Sequence, residues 1–140
     1  MILESSGGPS GRRRLMRHLI SLMLVIVGVI HLLPLFGVLG GPRLAALYGI
    51  AVDGPDLAIL LRHRAVLFGL LGAFLVVAAF RPAWQPAALV AGFVSVVSFL
   101  WLAWATGGYN AQLARVFTAD LVALGCLVVA AVAYATQRGS

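Results

Sequence analysis

The sequence predicts an all-α polytopic membrane protein, a bundle of four transmembrane helices with both termini on the cytoplasmic side. Two compositional facts lead there: 62% of the residues are hydrophobic and only 10% are charged, against about 25% charged in soluble domains. Mean hydropathy is +1.06. The third observation is four apolar stretches, at residues 17–39, 56–80, 86–106 and 111–136, each able to cross a bilayer core that needs about 20 residues. With 140 residues in all, the loops are too short for a second folded unit, so residues 17–138 are expected to form one transmembrane domain.

Residues 1–16 comprise a stretch to Gly11 rich in Ser and Gly, followed by Arg12, Arg13 and Arg14. This composition predicts a disordered basic tail. Arg17 opens the first span. A basic cluster before an apolar run also describes a signal peptide, but the run to Leu39 is too long and no small-residue cleavage site closes it. The expectation is a retained span.

Between spans one and two, Leu44, Leu47 and Tyr48 fall at helical spacing, which predicts a short interfacial helix over the outer mouth, with an ordered loop as the alternative. For span two, Asp53, Pro55 and Asp56 supply a cap, a first-turn proline and a first-turn acid. Pro82 and Pro86 bracket the start of span three, and Asn110 is placed to cap span four after Gly107 and Gly108. Aromatic rings prefer membrane interfaces, which assigns Trp84 and Tyr134 to the inner one and Tyr48, Trp104 and Tyr109 to the outer.

All ten basic residues are arginine. Arg12, Arg13, Arg14, Arg17, Arg81 and Arg138 lie on one side of the spans and Arg43, Arg62, Arg64 and Arg115 toward the other, so the positive-inside rule makes the first side cytoplasmic. The expected location is the inner (plasma) membrane, with the lipid bilayer as the first partner. A net charge of +6 does not point to nucleic acid, because the arginines are scattered among apolar spans rather than gathered with stacking aromatics on one face. Cys126 is the single cysteine, which excludes an internal disulfide and a Cys-x-x-Cys redox pair.

Ionisable residues inside spans are costly and read by default as functional. Here they are His31, Arg62, His63, Arg64, Arg115 and Asp120. At 1.5 Å per residue, His31 and Asp120 lie roughly 10–12 Å below the outer surface and the Arg62–Arg64 triplet reaches a similar level. Successive helical residues diverge by about 100°, so the triplet cannot all face inward. The small Gly69, Gly72, Ala73 stripe suggests Arg62 turned into the bundle and Arg64 snorkelling outward.

The candidate ligand-binding set is therefore His31, Arg62, His63, Arg115 and Asp120, with Asp120 paired to Arg62 or Arg115 and a histidine left titratable beside them. A purely structural inter-helix salt bridge is the competing account. His31, three residues before Pro34, has a structural account too, bonding a carbonyl that the proline frees. No cofactor is expected; the alternative is haem iron held by His31 and His63, or a metal bound with Asp120, although no recognised spacing supports it. Gly92, Ser95 and Ser98 repeat at a spacing that indicates helix packing.

Three functions remain open. A non-enzymatic protein would bind a small or lipid-like ligand, or a partner protein, through a polar pocket near the outer leaflet. An enzyme would act on an apolar substrate such as a quinone or isoprenoid, with His63 or His31 as acid/base and Asp120 orienting it. A proton-coupled transporter would need a homo-oligomer, since the inner halves of the spans are almost free of polar residues.

The run Leu60-Leu-Arg-His-Arg-Ala-Val-Leu-Phe-Gly-Leu-Leu-Gly72, with Ser95-Val-Val-Ser-Phe99, Tyr109-Asn110, Arg115 and Asp120, resembles a family of small bacterial four-span proteins often labelled phosphopantetheine adenylyltransferase. Their layout is similar to DoxX-like four-helix membrane proteins. The resemblance implies the four-helix layout and marks Arg62, His63, Arg64, Arg115 and Asp120 as its signature positions. The nucleotidyltransferase label does not carry over, because this chain has no strand followed by a phosphate-binding glycine loop.

Overall fold

The computed structural model describes residues 8–139, which form five α-helices and, among the described residues, no strand. Helix α1 (Pro9–Leu32) runs directly into a 3-10 segment, Leu33–Leu39. The short helix α2 (Gly41–Tyr48) follows, then α3 (Pro55–Ala79), a 3-10 turn at Pro82–Trp84, α4 (Gln85–Thr106) and α5 (Ala111–Arg138). Four helical units, Pro9–Leu39, Pro55–Ala79, Pro82–Thr106 and Ala111–Arg138, are long and apolar enough to cross a membrane. This is a multi-pass membrane protein.

Helix α1 begins at Pro9, not at Arg17, so the expected disordered tail is wrong from Pro9 onward; its first residues, 1–7, lie outside the described residues. Proline in the first turn explains the start, because its fixed φ suits a helix and its missing N–H would have had no partner there. The 24 residues of α1 and the seven of the 3-10 segment span about 50 Å, well beyond a core of roughly 30 Å. The unit is thus longer than the hydrocarbon core, and its arginines lie in the first turns, away from the apolar remainder.

Packing is set by small residues. Helix α1 packs against both α3 and α5, and α4 closes the ring against the same two. At the α1–α3 crossing, a Cβ on Gly28 would lie 2.9 Å from the Gly72 carbonyl oxygen, and one on Gly72 would lie 2.7 Å from the Gly28 oxygen. Only glycine permits that approach. Gly69 packs instead on Leu35 of the 3-10 segment and Ala73 is exposed, so two of the three residues of the expected stripe make close helix contacts.

Ile20, Leu24, Val27, Leu75, Val96 and Leu127 form the centre of the core. Large side chains such as Leu70, Val94, Trp101 and Leu102 are instead exposed, as lipid-facing surfaces require. Ser21 Oγ donates to Ala79 O at 2.6 Å and Gln137 Nε2 to Arg13 O at 3.2 Å, fastening the end that carries both termini.

At the opposite end, the sequence spacing around Leu44 does produce a helix: Leu44 and Tyr48 are buried beneath α2. Tyr48 is therefore a core residue and not an interfacial ring. Gly54, with φ of 97°, is the N-cap of α3, not Asp53; Asp56 occupies the first turn as expected. Asn110 caps α5 by accepting from Leu113 N at 2.8 Å. Its Nδ2 also donates to Tyr48 O (2.8 Å) and Gly49 O (3.1 Å), tying α2 down as a lid on α5.

Candidate functional site

The lid closes a cavity of about 280 Å³ to which α1, α2, α3, α4 and α5 all contribute. Its polar lining is His31, Tyr48, Arg64, Gln112, Arg115 and Asp120; Ile30, Leu33, Leu47, Phe68, Phe99 and Val116 are among its apolar walls. Each side chain arrives by helical register. On α1, Ile20, Leu24, Val27, Gly28 and His31 share the buried face; on α5, Asp120 continues the face of Ala123, Leu127, Ala130 and Ala133. Arg64 and Phe68, four residues apart, lie together on α3.

The arginine triplet is reversed from expectation. Arg64 is half-buried and lines the cavity, whereas Arg62 and His63 are exposed and do not. The reason is phase: α3 turns Gly72 toward α1 and Ala65 and Gly69 toward the 3-10 segment that continues it, which carries Arg64 to the cavity side. Arg62 Nε instead donates to Val38 O at 3.0 Å, anchoring the 3-10 segment.

Arg64 rests on aromatic faces, its guanidinium carbon 5.0 Å from the Phe68 ring centroid, 5.3 Å from Tyr48 and 5.9 Å from Phe99. These distances are within the range of cation–π attraction. Asp120 is buried in the same cavity and faces Arg64 electrostatically. Among the described residues, neither Arg62 nor Arg115 forms an ion pair with it, so the expected partners are incorrect. Arg115 is exposed at the cavity rim. Tyr48 records the same arrangement: burial is the main cause raising its hydroxyl above the ordinary value of 10.0, Arg64 opposes the shift and Asp120 adds to it.

His31 is buried and fully engaged. Its Nδ1 donates to Val27 O at 2.9 Å, and Nε2 lies 3.3 Å from Ser95 Oγ, where the neutral ring accepts from the hydroxyl. The carbonyl it bonds is Val27's, not one released by Pro34. That proline is accommodated by the change to 3-10 winding instead. His31 also packs on Phe68 at 5.6 Å between ring centroids.

A second cavity, of about 450 Å³, adjoins the first along Arg64, Phe68 and Phe99 and lies between α3, α4 and the start of α5. Ser95, Ser98, Leu102, Thr106 and Tyr109 line it. Ser95 thus contributes to the site rather than only to packing.

Of the five candidate residues, the structure brings together His31, Asp120 and, at the rim, Arg115; Arg62 and His63 stand outside. A haem held between His31 and His63 does not fit, since one is buried in the bundle and the other exposed on α3. Among the described residues no group of three or more His, Cys, Asp or Glu side chains is placed to hold a metal ion. Tyr48, Phe68 and Phe99 were not legible as site residues from composition; Arg64 stood out as an ionisable residue within a span but was expected to face outward, although its spacing to Phe68 was a usable signal.

Fold and site together define an integral membrane protein with a lidded polar cavity at one end of a four-helix bundle. Comparison with protein-family models, with curated proteins and with solved structures finds no match for this chain.

Proposed function

We propose that this protein is a non-enzymatic binder of a small amphipathic ligand, with Arg64 holding the ligand's polar head. The orientation that goes with this reading is termini inside and the lidded cavity toward the outer leaflet of the plasma membrane. One observation carries the proposal: the Arg64 guanidinium is half-buried on three rings, yet donates no hydrogen bond to any described residue. Its five donors need acceptors, and the cavity they border is the size of a small-molecule site. The Asp120 carboxylate, also without a hydrogen bond among the described residues, supplies an acceptor for a second polar atom of the ligand.

The enzyme alternative asks Asp120 to orient a histidine. His31 has both nitrogens occupied by Val27 and Ser95, so binding is the better fit. Native mass spectrometry of protein extracted in mild detergent tests the reading. The expected result is a co-purifying small molecule lost in Arg64→Gln and kept in His63→Gln and Arg62→Gln. Loss in His63→Gln with retention in Arg64→Gln would place the site elsewhere.

A further inference from the structure

At the end that carries both termini, a groove of about 300 Å³ runs along the surface between α1 and α5. Both of its walls change from polar to apolar in the same direction. On α1, Arg12 is followed by Met16 and Leu19, about 6 and 10 Å deeper along the axis. On α5, Thr136 is followed by Val132 and Val129 over a similar depth.

We propose that this groove seats one acyl chain of an anionic phospholipid, with the headgroup phosphate held by Arg12. A groove that is apolar toward the bilayer centre and cationic at its mouth matches a lipid in both halves. Arg12 makes no ion pair or hydrogen bond through its side chain with the described residues, whereas Arg138 is engaged over the Tyr134 ring at 5.8 Å and Arg13 is already partnered.

The surrounding charge reinforces the choice of an anionic headgroup. Arg12, Arg13, Arg14, Arg17, Arg81 and Arg138 all lie at this end, while Asp53, Asp56 and Asp120 lie toward the other; Glu4 falls outside the described residues. A basic cluster of this kind attracts anionic lipid. The groove adds what a diffuse field lacks, a defined place for one chain. This site is independent of the lidded cavity, since the two share no lining residue.

Native mass spectrometry of the full chain, released from mixed micelles with equal phosphatidylglycerol and phosphatidylcholine of identical acyl chains, tests the proposal. Wild type is expected to retain phosphatidylglycerol in preference to phosphatidylcholine, and Arg12→Gln to lower that retention about fivefold. Val132→Trp, at an exposed wall position, fills the groove without altering charge and should also lower it. Arg81→Gln, at the same end but outside the groove, should leave it within about twofold of wild type, less than one arginine's share of the attraction. Equal retention of the two lipids by wild type would overturn the proposal. So would equal losses in Arg12→Gln and Arg81→Gln, which indicate diffuse attraction, or full retention in Val132→Trp.

Discussion

Replacing Arg64 and Arg62 by glutamine in turn separates two residues that adjoin in sequence and differ in environment. Arg64 has three ring faces at 5.0–5.9 Å, each contact contributing about 1 kcal/mol when partly desolvated. Against that gross figure of about 3 kcal/mol stands the cost of keeping a guanidinium half-buried, which glutamine relieves in part. The net loss for Arg64→Gln comes to about 2 kcal/mol, a fall in Tm on the order of 8 °C for a chain of this size. Arg62 is exposed and makes one hydrogen bond, to Val38 O, so Arg62→Gln should cost under about 1 kcal/mol. Arg64→Lys keeps the charge but loses the planar stack, and should fall between wild type and Arg64→Gln. Thermal unfolding in one detergent, followed by circular dichroism, reads all three. A larger fall for Arg62→Gln than for Arg64→Gln would refute the inward placement of Arg64 and the site built on it.

Two further outcomes follow from the geometry. Gly72→Ala puts a methyl group 2.7 Å from a backbone oxygen that cannot rotate away, and should destabilise by about 1–3 kcal/mol; Gly125→Ala, with nothing within 4 Å, should be neutral or stabilising by up to about 1 kcal/mol. Equal Tm shifts for the two would argue against the close α1–α3 crossing. Tyr48 has a folded-state pKa raised above the ordinary 10.0, so its contribution to stability is present below that pH and is lost as pH climbs through the folded value. An alkaline unfolding series should therefore show a decline above about pH 10 that Tyr48→Phe reduces; parallel declines in the two proteins would show that the Tyr48 hydroxyl is not buried.

Features that depend on chain composition or local chemistry were readable from the sequence. The four spans follow from hydropathy, the α5 start from Asn110 beside two glycines, and α2 from the spacing of Leu44, Leu47 and Tyr48. Rotation about a helix axis was not readable. A lipid-facing surface is as apolar as the core, so α3 carries no amphipathic signal to say which of Arg62, His63 and Arg64 turns inward. The answer lies in a contact between helices, where Gly28 meets Gly72, and that contact fixes the phase. Ser95 was missed for a related reason: a small residue at packing spacing gives no sign that a histidine from α1 will reach it. Pro9 was a legible helix start, but the Ser and Gly around it outweighed that signal.

Asn110 holds the lid from a position 62 residues after Tyr48 in the chain. Three walls of the cavity, carrying His31, Tyr48 and Arg64, emerge early in synthesis, while Asp120 and the residue that latches the lid belong to the final helix. Chains elongate from the N-terminus, and early segments wait for later ones before long-range contacts close. The cavity is thus completed late, only when α5 packs beside α1. Until then a buried-to-be guanidinium and its aromatic bed stand open to lipid, and any factor that attends insertion meets them in that state.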